Sequence, residues 1–183
     1  IRSIEGVDIA NLGPTEAVGA IVSFLDGRPF KPGYRRFRIK TVEGPDDVGM
    51  MREVVFRRFR RLTEELSVVP DLVLVDGGPG QLHAAADAIA AAGAERPRLV
   101  SLAKREEEVY VFGRPESEPL RLPRTHPALK ILQAVRDEAH RFAQHYYHLL
   151  RRKAVFGEKD ARDLPRRKKT RRGSGRKRKG RAQ

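Results

Sequence analysis

The sequence contains no cysteine, so neither a disulfide framework nor a thiolate metal site can be part of its chemistry. A reducing cytoplasm suits that composition and is the expected location. There is no apolar run near the roughly 20 residues that a membrane-spanning helix needs, and no signal-peptide pattern opens the chain. Ile1 already falls inside a strand-like stretch, as expected of a piece cut from something longer. The first 150 residues also have almost no net charge. The 183 residues carry a formal +14, but residues 151–183 hold 16 Lys and Arg against 3 acids, and residues 1–150 hold 22 basic against 21 acidic residues. The basic excess therefore belongs to the C-terminal segment, which offers phosphate affinity that is independent of sequence and weakened by salt. Its low-complexity run RRKKTRRGSGRKRKGRAQ reads as disordered. The expected division is one domain over residues 1–153, long enough for a core of its own, and a basic tail over 154–183.

Within that domain the pattern is readable in order. Residues 4–10 form a short strand containing Asp8, and Asn11, Gly13 and Pro14 make a turn. Residues 17–25 form a second strand, and Asp26-Gly27 is a strong hairpin signal. GYRRFRI, residues 33–39, alternates well enough for a third strand, giving an antiparallel meander. From Asp46 the period changes: with Asp46 or Asp47 as N-cap, Val48, Met51, Val55, Phe59, Leu62 and Leu66 recur at helical steps. The opposite face, with Arg52, Arg57, Arg58, Arg60 and Arg61, reads as solvated or as a phosphate contact. A second helix is expected over about 81–92, a strand over 98–103, a hairpin of 109–112 with 119–122, and a last helix from Pro127 to about Lys153. On that helix Ile131, Val135, Phe142, Tyr146 and Leu149 make an apolar stripe with His140 nearly opposite, turned toward a site or toward solvent. No partner is evident for His83, His126, His145 or His148.

The stretch that organises the chain is PDLVLVDGGPGQL, residues 70–82. Leu72 to Val75 run without a polar interruption and stop at Asp76, as in a strand buried on both faces. A carboxylate at the C-terminal end of such a strand, beside a turn without bulky side chains, sits where α/β sheets keep ligands. Asp before Gly-Gly also serves as an ordinary helix cap, and this stretch alone leaves the two roles open. The order of elements is that of a ribonuclease-H-like mixed sheet, an antiparallel three-strand meander plus parallel strands flanked by helices. In that layout the strands carrying Asp8 and Asp76 lie side by side. Two adjacent carboxylates repel unless a cation lies between them, and oxygen ligands without cysteine suit Mg²⁺ or Mn²⁺. His140 can complete such a cluster as a ligand or as a base for water.

The stretches IEGVDIAN, YRRFRIKTVEGPDDVGMMREVVFRRF, PDLVLVDGGPGQL, VSLAKREEEVY and PALKILQAVRDEAHRFA resemble, in order and spacing, the C-terminal endonuclease half of UvrC, the excinuclease ABC subunit. The resemblance covers residues 4 to about 150 and implies a divalent-metal DNA endonuclease that makes the 5′ incision beside a lesion in nucleotide excision repair. It implies a catalytic and metal-binding triad of Asp8, Asp76 and His140, with Asp47 as a further functional acid whose other role is a helix cap. It implies DNA contacts at Tyr34, Arg35, Arg36, Lys104 and Arg141, a damaged duplex as substrate and a UvrB–DNA complex as the wider partner. Isolated from the rest of that system, the chain is expected to cut weakly. The chain departs from the family at Pro79, where Lys is usual, and at Ile9-Ala10, where a small hydroxyl residue is frequent. The family's GIY-YIG domain, UvrB-contacting segment and helix-hairpin-helix pair are not in this sequence, and the basic tail stands where the hairpins would be. Two other functions fit the same residues: a non-catalytic nucleic-acid-binding module that relies on the tail, and an RNA-cutting enzyme of the same fold.

Overall fold

The computed structural model describes residues 1–11, 17–42, 44, 46–103 and 107–160. The turn at Gly13 and Pro14, Lys104 and the tail beyond residue 160 lie outside them. Contacts divide the chain into Ile1–Leu150 and Arg151–Gln183; the fold below is that of the first unit.

Strand β1 (Ser3–Asn11) pairs antiparallel with β2 (Ala17–Leu25) along its whole length. Asp26 and Gly27, both with positive φ, turn β2 into the short β3 (Arg28–Pro29). This is the hairpin that the Asp-Gly pair dictates. A single 3₁₀ turn over Lys31–Gly33 then brings the chain back, and β4 (Arg35–Arg38) pairs with β2 beyond β3. The third strand is therefore shorter than GYRRFRI suggested, because Gly33 belongs to that turn, Tyr34 caps it and Ile39 lies past the strand's end. Helix α1 (Asp47–Glu64) leads to β5 (Leu72–Asp76), which pairs parallel with β1. Helix α2 (Pro79–Ala91), β6 (Arg98–Ala103), β7 (Glu108–Val111) and α3 (Pro127–Asp160) complete the order. The sheet runs β3-β2-β1-β5-β6-β7, with β4 also on β2, and mixes parallel and antiparallel pairs. The expected second strand of the last hairpin is reduced to one bridge, Val109 to Leu120.

The sheet is covered on both faces. Val7, Ile21, Val73, Val75 and Leu99 pack against α1 and α2, while Ile4, Val22, Phe24, Leu74, Val100 and Leu102 pack against α3 residues Leu129, Leu132, Val135 and Ala139. Alternation along β1 thus assigns Glu5, Val7 and Ile9 to one face and Ile4, Gly6, Asp8 and Ala10 to the α3 face.

Two features of the α3 face differ from the sequence reading. The buried stripe of α3 is Leu129, Leu132, Val135, Ala139, Ala143 and Tyr147, whereas Ile131 is exposed. Counted at 100° per residue, His140 stands about 70° from the middle of this stripe, so it lies on the stripe's flank and not opposite it. Gly6 sets how closely α3 approaches. A Cβ there would lie 2.5 Å from Val135 Cγ1 and 3.3 Å from the Val135 carbonyl oxygen, so the absence of a side chain lets the helix settle onto β1. Gly6→Ala is expected to cost about 1–3 kcal/mol by overpacking, measured by urea unfolding, and adding Val135→Ala is expected to recover most of it.

The other face holds charge. Arg58, read from the sequence as part of a solvated basic face, is buried and donates to both carboxylate oxygens of Glu5 at 2.6 and 3.1 Å. The outer arginines of α1 are paired as well, Arg52 with Asp87, Arg60 with Glu64 and Arg61 with Glu65. Glu53 on α1 accepts hydrogen bonds from the Lys40 and Thr41 amides, the Thr41 hydroxyl and Arg57. Burial works to raise its carboxyl pKa, but the bonds from Thr41, Lys40 and Arg57 outweigh it and hold the pKa below the usual 4.5. A lowered folded-state pKa contributes stability above the unfolded value that fades as pH falls through the folded one. The stability gap between wild type and Glu53→Gln is therefore expected to be constant above about pH 5 and to narrow below pH 4, read by denaturant unfolding across pH.

Candidate active site

The site lies at the C-terminal end of β5, where its parallel pairing with β1 stops and β1 continues along β2 alone. Val7 pairs with Val75 in the parallel register, so the next residues, Asp8 and Asp76, are lateral neighbours on the face that α3 covers. Asp8 is 4% exposed. The Nδ1 atom of His140 lies 3.1 Å from Asp8 Oδ2, and the ring is half exposed, as its place on the flank of α3 dictates. Asp8, Asp76 and His140 each offer a ligand atom, and these atoms lie within 4.8 Å of one another. The expected triad is one cluster in space.

The turn after β5 explains DGGPGQ. Gly77 has φ of +148°, and a Cβ there would come within 2.9 Å of Gln81 Cδ. Glycine alone satisfies that conformation at no steric cost. Gln81 Oε1 accepts from the Gly78 amide, and Pro79 occupies the first turn of α2, where its missing N–H costs nothing. The helix therefore begins two residues earlier than the apolar pattern indicated, and Gly78 is its N-cap. Asp76 is the last residue of the strand and is not the cap.

Asp46 settles the other capping question. Its Oδ1 accepts from the Gly49 amide at 2.8 Å, which makes Asp46 the N-cap of α1. Asp47 is left at the first helical position, where it lines a cavity of about 390 Å³ with Asp8, Asp76, Met51, Gly77 and Gln81. A second cavity of about 250 Å³ is lined by Asp76, Glu107, Arg136, Asp137 and His140. Asp76 lines both. Glu107 and Arg136 were missed in the sequence. Arg136 donates to both oxygens of Glu107 at 3.0 and 3.1 Å, and Glu107 takes a positive φ of 54°. The one available signal was Arg136 lying one helical turn before His140.

The expected DNA-contacting residues are placed differently from one another. Tyr34 donates its hydroxyl to Glu138 at 2.8 Å, and Arg141 donates to both oxygens of that carboxylate. Arg141 holds the Glu138 carboxyl below its usual range, and burial together with Glu138 pushes the Tyr34 hydroxyl up. Arg35 donates to the carbonyls of Pro32 and Tyr34. Arg36 lies over the Phe142 and Tyr146 rings. Pro79 lines a separate cavity of about 20 Å³ with Leu82, His83 and Tyr110. Two histidines prove to have local partners. His83 meets Glu116 at 2.8 Å, and the Ala128 amide at the start of α3 donates to His126 Nδ1.

A mixed sheet with helices on both faces, and an Asp-Asp-His cluster where its first strand and the parallel neighbour part, defines the ribonuclease-H-like class of nuclease domain. The chain matches the UvrC RNAse H endonuclease domain model over residues 1–144, and it belongs to that family. It is 53% identical over 140 residues to the UvrABC system protein C of Koribacter versatilis, covering 76% of this chain and 23% of that protein. With the UvrABC system protein C of Methanococcus maripaludis it shares 47% over 153 residues, 84% of this chain and 28% of that one. The chain spans about a quarter of the length of these curated relatives. Among solved structures it is similar to the catalytic domain of human endonuclease V, with 11% identity, a TM-score of 0.48 and 84% of each chain covered.

Proposed function

We propose that this chain is the DNA-incising endonuclease portion of an excinuclease subunit, and that it hydrolyses a phosphodiester 5′ to a lesion with a divalent cation, Mg²⁺ or Mn²⁺. The single observation that carries this reading is the convergence of Asp8, Asp76 and His140 ligand atoms within 4.8 Å. Two carboxylates and an imidazole fit a hard divalent ion, and the absence of cysteine excludes a thiolate site. Bound between Asp8 and Asp76, such an ion would acidify water and offset the charge that builds on the phosphate during displacement.

The chain's own residues do the rest. Asp8, buried on β1, orients the His140 ring through Nδ1, which leaves Nε2 either to complete the cation's coordination or to take a proton from the attacking water. The water oxygen bonds to phosphorus as one ester P–O bond breaks, and the departing oxygen takes up a proton. Asp47, freed from capping by Asp46, faces the same cavity and helps orient water there. The damaged duplex is presented by a UvrB–DNA complex in the reducing cytoplasm, and the isolated chain cuts weakly because lesion recognition lies elsewhere.

The test is cleavage of end-labelled bubble DNA. Cutting is expected in Mg²⁺ or Mn²⁺, to stop in EDTA and to return when the cation is restored. If Asp8→Asn and Asp76→Asn cut as fast as the wild type, the reading is wrong.

A further inference from the structure

Several basic residues of this domain are neutralised by acids, as on the outer face of α1. Arg36 is held differently, by aromatic rings. Among the described residues it meets no carboxylate, and its exposed guanidinium lies 4.6 Å from the centre of the Phe142 ring and 5.3 Å from that of Tyr146. Tyr34 packs edge-on against Phe142 at 5.0 Å, so the nearer of the two rings is itself held. A guanidinium held against aromatic rings keeps its charge and its N–H groups for an anion.

Register locates this cation relative to the site. Asp8 pairs with Ala20, and Ala20 pairs with Arg36. Arg36 is therefore in the same row as Asp8, on the same face, two strands and about 10 Å away. Helix α3 lies over the strand between them, with Ala143 and Tyr147 packed on Ala20 and Val18. His140 is on one flank of that helix, and Phe142 is about 160° around it at 100° per residue. The crest between the flanks carries Asp137, Arg141, His145 and His148, all exposed, together with Glu138, which is bonded to Arg141. The helix is thus a ridge with the carboxylates on one side and Arg36 on the other. A helix with its side chains is about 10–12 Å across, and the major groove of B-DNA is about 12 Å wide.

We infer that α3 seats in the major groove of duplex DNA, with the strand to be cut on the His140 flank and a phosphate of the uncut strand on Arg36. The inference rests on the Asp8–Asp76–His140 cluster being the incising centre. Arg36 then serves the second strand only, and Tyr34, Phe142 and Tyr146 position it.

The experiment measures binding of the full chain to a labelled duplex and to one of its single strands, in EDTA and across a salt series. Arg36→Ala is expected to weaken duplex binding about tenfold and single-strand binding less than twofold. The slope of log affinity against log salt should become shallower by about one for the duplex. Arg36→Lys, which keeps the charge, should stay within about threefold of the wild type. Equal losses on duplex and single strand, no loss on the duplex, or Arg36→Lys as weak as Arg36→Ala would each overturn the inference. No divalent cation is present and nothing is cut, so this result is independent of the cleavage assay. Failure of the incision reading, seen as active Asp8→Asn and Asp76→Asn variants, is thereby distinguishable from failure of the ridge.

Discussion

Asp76→Asn is expected to lower the rate of DNA cleavage by roughly 10³-fold or more without loss of the fold. The carboxylate ends a strand whose four preceding residues are buried, and Asn keeps its size and its place beside Gly77. On the proposed mechanism it would remove one of the two carboxylates that would hold a divalent cation. Asp8→Asn should match this loss. His140→Ala should fall by about 10²- to 10⁴-fold, the usual range for a proton-transferring group. Asp47→Asn should lose less, since Asp47 lines the cavity but is outside the cluster of three. Stability gives a readout that needs no catalysis. Mn²⁺ should raise the unfolding temperature of the wild type by binding only the folded state, and this rise should vanish in Asp8→Asn and Asp76→Asn.

The second large effect is on folding. Glu5→Ala leaves the Arg58 guanidinium buried without its carboxylate, and about 3–5 kcal/mol of stability is expected to go with it. That is a large share of what a domain of this size possesses. Replacing both partners by apolar residues of similar volume, Glu5→Leu with Arg58→Met, is expected to return close to wild-type stability, because no charge is then left buried. Urea unfolding of the two variants decides the point. A double variant as unstable as Glu5→Ala would mean that the pair contributes more than mutual neutralisation.

Much of this was legible in the residues themselves. The run LVLVD bounded by Gly-Gly announced a buried strand with a carboxylate at its end, because apolar continuity and turn chemistry are local properties. Asp26-Gly27 announced its hairpin for the same reason. The cluster was legible because strand order brings β1 beside β5, a consequence of topology and not of any one motif. The misreadings concern which face of a helix is buried. Arg58 was counted with its solvated neighbours because sequence spacing cannot reveal that β1 offers Glu5 as a buried partner. Ile131 was placed in the stripe of α3 because hydrophobicity was used where packing decided: Leu129, Leu132 and Ala139 face the sheet. Gly6 was passed over as an ordinary strand residue, although a glycine two positions before Asp8, on the same face, is what admits the helix that carries His140. Glu107 escaped notice because its partner is 29 residues away, and nothing local marks it.

Anomalous diffraction from a crystal of the chain soaked in Mn²⁺ tests the central claim most directly. The expected result is a peak between β1 and β5, at coordinating distance of about 2.0–2.4 Å from a carboxylate oxygen of both Asp8 and Asp76, and lost in a crystal of Asp76→Asn. A peak touching neither carboxylate, or none in a crystal that diffracts well enough to show one, would contradict it.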